Sequence, residues 1–139
     1  MAFLFFFCIV LLFCGIEDAK TMHIPPRYPL LIAACFWLNP MWNKQDSFIG
    51  FVVCGGVLLL LCCVKEGAFG GGDIKLCAAV GFTLGSIPAI AGLLLASLFS
   101  LPAAFVKRRQ KTAIAFAPYL AAGFSLAAFF NYFSYGGFI

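Results

Sequence analysis

Six apolar runs parted by short polar stretches make up this chain: Ala2–Ile16, Tyr28–Trp42, Phe48–Val64, Ile74–Ile87, Pro88–Val106 and Thr112–Phe133. Within stretches such as Ala2–Phe13 and Val57–Val64 the apolar residues follow one another without alternation. A lipid-facing barrel strand alternates apolar and polar positions, so each run is predicted to be a helix. The first spans ~22 Å and the fourth ~21 Å at ~1.5 Å per residue, both short of a ~30 Å hydrocarbon core. A short fourth span thins the bilayer locally or leaves the residue at its mouth in a wet cavity. The second run is interrupted by Pro29 and Pro40, with Trp37 and Trp42 suited to the far interface; a re-entrant segment is its alternative reading. Between runs one and two lies Glu17–Arg27, ending in Ile24-Pro25-Pro26-Arg27. Its prolines force an extended backbone and block helix continuation. Pro88 is expected to open the fifth helix, as proline does at a first turn.

Composition turns these helices into membrane spans. Of 139 residues, 64% are apolar, 17% aromatic and only 10% charged. Soluble domains carry about a quarter of their residues as charges. The expectation is an all-α integral membrane protein of about six transmembrane helices, with residues 1–139 as a single domain and no internal repeat. No basic residue precedes the first run, as a secretory signal peptide would require. Cys14 follows Phe13 rather than the small residues of a lipoprotein signal, so the run reads as a retained span.

Basic residues then set orientation. With six spans, Lys20, Arg27, Lys65, Lys75, Lys107, Arg108, Arg109 and Lys111 share one side and only Lys44 lies on the other, eight against one. Cytoplasmic loops carry the excess of Lys and Arg, which puts both termini outside. A re-entrant second run reduces the split to six against three and separates Asp18 from Asp73. The charge count therefore favours six spans, with Asp18 and Asp73 at one cytoplasmic face of the cell membrane. These cations are read as topology signals, and no nucleic-acid partner is expected.

Candidate chemistry is sparse. The seven cysteines lie in or beside apolar runs without CxxC spacing, and His23 is the lone histidine. No four-ligand metal set can be drawn from them, so they are expected to pack as small apolar side chains, and neither metal nor organic cofactor is expected. The acidic residues are Glu17, Asp18, Asp46, Glu66 and Asp73. Asp46 falls on the opposite side, and Glu66 reads as a solvated loop residue. Asp73 remains, with one of Glu17 and Asp18. An ionisable group at the mouth of a membrane helix is a functional-site hypothesis. Two carboxylates brought together share a proton and titrate as a pair; one can activate water while the other protonates a leaving amine. Gly70, Gly71 and Gly72 precede Asp73 and allow close approach of an extended peptide backbone. The alternatives are an ordinary helix N-cap at Asp73 and a phosphate cradle, which lacks the following G-K-[ST]. Lys75, two residues past Asp73, does not face it on a helix and is expected to reach for the headgroups. His23 is a further acid or base candidate.

Three segments then carry a resemblance. Asp18-Ala19-Lys20-Thr21-Met22-His23-Ile24-Pro25 places Ile24 and Pro25 six and seven residues after an aspartate at the end of a span. Gly70-Gly71-Gly72-Asp73-Ile74-Lys75-Leu76 reads G-x-G-D-x-K-L, and Gly81 and Leu84-Gly85 continue it. Ile114-Ala115-Phe116-Ala117-Pro118-Tyr119-Leu120-Ala121 supplies a Pro-aromatic-Leu-Ala stretch in the last span. In these the chain resembles the bacterial type IV prepilin (leader) peptidases of the membrane GxGD aspartic class. The resemblance selects Asp18 over Glu17. It implies Asp18 and Asp73 as the catalytic pair, with Gly70, Gly71, Gly72, Lys75, Ile24 and Pro25 as the supporting loops. It further implies cofactor-free removal of a short basic leader from pilin, pseudopilin or competence precursors at the cytoplasmic membrane face. In the family, cleavage falls after a glycine, ahead of an apolar helix that stays in the bilayer. Pro26 departs from the Asn or Asp that often follows Ile-Pro. The paired cysteines of the larger members' methyltransferase region are missing, so peptidase without methyltransferase is expected. A presenilin-like protease fits less well, because its first aspartate follows a tyrosine inside a span. A non-catalytic carrier or subunit, using the aspartates for cation or proton binding, is the alternative from another class.

Overall fold

The computed structural model of the chain describes residues 2–35, 37, 43–64, 70–110 and 116–136, the side chains of 107–110 and 135–136 excepted. Apolar segments in lipid must satisfy their backbone internally, and these do so as six helices: α1 (Ala2–Thr21), α2 (Arg27–Cys35), α3 (Lys44–Val64), α4 (Gly71–Leu84), α5 (Ser86–Gln110) and α6 (Ala117–Gly136). No strand occurs among the described residues. Three of the helices, α1, α3 and α5, are long and apolar enough to cross a membrane. The nine residues of α2 rise only ~13 Å. The second half of the expected second span, with Pro40 and Trp42, lies outside the described residues, as do Lys65, Glu66 and Lys111 and the side chains of Lys107, Arg108 and Arg109.

The short α4 is the hub, packing against α2, α3, α5 and α6. Its buried face carries Leu76, Cys77, Val80, Thr83 and Leu84. Where α3 crosses it, Gly50 meets Gly81, and a Cβ on either would run into the other's backbone. Lipid supplies no hydrophobic drive between helices, so such small-residue contacts let dispersion hold the pair. On the other side of the bundle, Phe7 and Leu11 of α1 and Leu120 and Phe124 of α6 are fully buried. Large apolar residues point outward instead, among them Phe5, Leu12, Leu60 and Leu98. All seven cysteines are free thiols, and Cys14, Cys35, Cys54 and Cys77 are buried. A hydroxyl ties α2 to α4: Thr83 Oγ1 donates to the Ile32 carbonyl at 2.9 Å and also lies 2.8 Å from the Ala79 carbonyl.

Several boundaries differ from the sequence expectation, and two of them have a visible cause. First, α1 does not stop at Ile16 but runs on to Thr21, so Asp18 stands on the helix and not in the loop. Glu17-Asp18-Ala19-Lys20 contains no helix breaker. The helix ends only where Met22 turns to φ 54°, with its N–H still bonded to the Asp18 carbonyl at 2.8 Å. Thr21 Oγ1 then lies within bonding distance of the carbonyls of Glu17 (2.8 Å) and His23 (3.0 Å), and Pro25-Pro26 keeps the chain extended.

Second, the fourth helix ends at Leu84, before Ile87, and α5 begins at Ser86, so Pro88 is its third residue. In a continuous helix the Pro88 ring would strike the Leu84 carbonyl. Gly85 takes up the break at φ 89°, its N–H bonded to the Gly81 carbonyl at 3.0 Å. The carboxylate of Asp46 packs on Gly85, where it would collide with any Cβ, and it accepts the Ser86 hydroxyl. Asp46 therefore works at the far end of α4 from Asp73, where α3 brings its carboxylate to the N-terminus of α5 and onto the Ser86 hydroxyl. Asp46→Ala is expected to lower stability by ~1 kcal/mol. A drop of a few degrees in the thermal midpoint of the lipid-reconstituted protein checks this, and an unchanged midpoint refutes it.

Candidate active site

Asp18 and Asp73, on different helices, line one cavity of about 460 Å³. Each of the two residues is 7% exposed. The loop after α1 contributes Met22, His23 and Ile24 to the walls, and the start of α4 contributes Gly70, Gly71 and Gly72. Three helix ends meet here: the last turns of α1 and the first turns of α4 and α6.

Gly70, extended at φ −69° and ψ 143°, is the N-cap of α4, which makes Asp73 the third helical residue. The alternative of Asp73 as the cap is thereby corrected. Its backbone N–H bonds the Gly70 carbonyl at 3.0 Å, and no side chain caps the helix. Instead the Asp73 side chain turns to the cavity, and its buried Oδ1 has no hydrogen-bond partner among the described residues. The first turn of a helix favours a negative group through its free N–H dipoles.

Asp18 is anchored differently. Its Oδ2 accepts the Ala117 N–H at 3.3 Å, one of the four N–H groups that the start of α6 leaves without a helical partner. Pro118 next to it needs no N–H there. It also packs close to α1, where a Cβ on Gly15 would lie 3.1 Å from Pro118 Cα. The Phe116–Ala121 part of the third sequence segment thus seats the first aspartate; residues 114 and 115 are outside the described residues. Nothing in the residue types of this segment shows that task, since a backbone N–H leaves no mark in a sequence.

Glu17 is drawn away from the cavity: Tyr28 O–H donates to its Oε2. Of the two adjacent acids, Asp18 is the one that enters. The supporting residues divide into distinct tasks. Ile24 is buried and lies on Gly72, where an added Cβ would come 2.7 Å from Ile24 Cβ. Gly72 therefore lets the loop after α1 close onto the start of α4. Gly71 faces open space, and a Cβ on Gly70 would make only ordinary contact, 3.8 Å from Asp73 Oδ2. The Pro25 carbonyl receives the Tyr28 N–H at 3.4 Å and starts α2, while Pro26 lines the cavity. Lys75 is exposed at the cavity's rim, as does His23 on the loop side. Met22, held in the left-handed region, is a lining residue that the sequence did not single out; a methionine carries no signal for positive φ.

A cavity with two buried carboxyls from separate helices, one anchored by a backbone N–H and one with an unengaged oxygen, has the groups that acid–base hydrolysis needs. Comparison with known proteins points to a peptidase family. The model of the "Type IV leader peptidase family" matches residues 5–105, which contain both aspartates and the glycine run. A curated protein of Escherichia coli K12, "Prepilin leader peptidase/N-methyltransferase", is 36% identical over 88% of this chain and 60% of its own length. One of the same name from Bacillus subtilis 168 is 30% identical over 87% of this chain and 52% of its own length. The chain thus spans little more than half the length of these relatives. No solved structure matches it. On the extent of the family match and the identity to these relatives, the chain belongs to the type IV leader peptidase family.

Proposed function

We propose that this chain is a membrane aspartic endopeptidase that removes the short basic leader from type IV prepilin-like precursors at the cytoplasmic face of the cell membrane. One observation carries the reading: Asp18 and Asp73, 55 positions apart in sequence, are both buried and open into the same cavity. The proposal takes up the peptidase part of the relatives' names, because that cavity supplies the groups for hydrolysis. Six spans with both termini outside would set it at the cytoplasmic surface, as the basic residues require.

In the working state the pair holds one proton. Asp73 Oδ1, unengaged among the described residues, takes a proton from a water molecule, whose oxygen attacks the scissile carbonyl. Asp18, held through Oδ2 by α6, keeps its other oxygen for the shared proton. That proton hydrogen-bonds the carbonyl oxygen and stabilises the charge developing there. Collapse of the tetrahedral intermediate breaks the C–N bond, and the leaving amine takes a proton from the pair. One water is consumed, and a carboxyl and an amine are released. The open edge at Gly70 and Gly71 leaves room for an extended substrate backbone.

The test is co-expression with a precursor whose basic leader ends in glycine, with leader loss followed by gel shift. Leader removal is the expected result. An inserted protein that shortens none of several such precursors would refute the proposal.

A further inference from the structure

A second hollow lies beside the aspartate cavity: an apolar groove of about 930 Å³ bounded by α2, α3 and α4. Pro26, Pro29 and Lys75 line both hollows, so the groove opens onto the site. Among the described residues that line it, Lys75, at that shared rim, is the one that is charged; the rest are apolar. Ala33, Gly55, Gly56 and Ala78 lie along it, with Phe51 and Leu59 beside them. Gly55 closes the floor, since its Cβ would come 3.0 Å from Ala78 Cβ, whereas a Cβ on Gly56 would meet nothing within 4 Å.

We infer that this groove holds the apolar helix of the precursor that follows the scissile bond. The inference rests on the proposed peptidase reading. A leader rich in Lys and Arg finds no counter-charge among the described residues of the groove, where Lys75 carries the same sign, and stays on the wet side of the aspartates. The segment after the cleavage point is apolar and must leave the cavity into the bilayer, and the groove is apolar and shares the cavity's rim. Small residues let a helix backbone approach closely, as they do between membrane helices. With a helix ~10 Å across, the volume corresponds to on the order of two turns, enough to fix register between the substrate helix and the aspartates.

The test uses the full chain in vesicles with a precursor carrying a basic leader, a glycine and a twenty-residue apolar segment. Leu98→Ala, on an outward-facing position away from both hollows, is expected to keep KM within about twofold. Gly56→Leu, which fills the groove, should raise KM about tenfold or more with kcat little changed. In an Asp73→Asn background, a photo-crosslinking residue at Leu59 should capture the precursor's apolar segment, and one at the outward-facing Leu98 should not. An unchanged KM for Gly56→Leu overturns the inference. So does equal capture from both positions, or capture of lipid alone at Leu59. If the unaltered protein cleaves nothing, the peptidase reading fails by itself, and the crosslinks, which need no cleavage, still decide what occupies the groove.

Discussion

Asp18→Asn and Asp73→Asn are each expected to reduce leader removal by ~10³-fold or more while leaving insertion and folding intact, within the range that a positioned acid or base contributes. The exchange keeps shape and volume and removes only the capacity to cycle a proton. At position 18 an asparagine carbonyl still accepts the Ala117 N–H, so α1 and α6 stay joined where Asp18 Oδ2 now joins them. At position 73 an asparagine carbonyl can still take the backbone hydrogen bond at Gly70 that the Asp73 carboxylate takes, so the start of α4 keeps its geometry. Glu17→Gln is the internal control. Its side chain is held by Tyr28, away from the cavity, and near-normal cleavage is expected although it adjoins Asp18. Initial rates against one precursor, with size-exclusion profiles of the three variants, decide the matter. A tenth or more of normal activity in either asparagine variant would sink the two-carboxyl mechanism. Equal loss in Glu17→Gln would mean that the resemblance selected the wrong acid of the pair.

The sequence disclosed helix order better than helix ends. Uninterrupted apolar runs have one low-energy form in lipid, so the six helices follow from composition. Their ends depend on contacts that a pattern of apolar and polar residues does not record. Nothing in Glu17-Asp18-Ala19-Lys20 says whether the charged residues leave the helix or continue it into a cavity; the α6 N-terminus, 99 residues away from Asp18, provides the anchor that keeps Asp18 on the helix. Pro88 signalled a break near the start of α5, but the turn itself falls on Gly85 because the Asp46 carboxylate occupies the space a side chain would need. The candidate site was legible as two aspartates and a run of glycines. What was not legible is how the glycines divide their work.

That division yields the other large effect. Gly72→Ala should lower kcat by ~10²-fold, the scale on which displacing a catalytic group by about an ångström acts, whereas Gly71→Ala should stay within about threefold of normal. The two substitutions are chemically identical and adjacent in one helical turn, and alanine is the better helix former at either position. Helix propensity therefore predicts no loss at all. The difference lies in what each Cβ meets: nothing within 4 Å at Gly71, and Ile24 Cβ at 2.7 Å at Gly72. Ile24 is buried in the short loop between Asp18 and the prolines, so it yields only by moving that loop, and the cavity wall moves with it. Relief of the same contact from the other side provides the check. Ile24→Gly removes the atom that Gly72→Ala strikes, and the double variant should recover part of the lost kcat although each single change is harmful. Such recovery is the coupling expected of residues in direct contact. Equal losses at Gly71 and Gly72 would assign the glycines to backbone flexibility instead of the seating of Ile24. Additive losses in the double variant would show that the loop after α1 and the start of α4 are positioned independently.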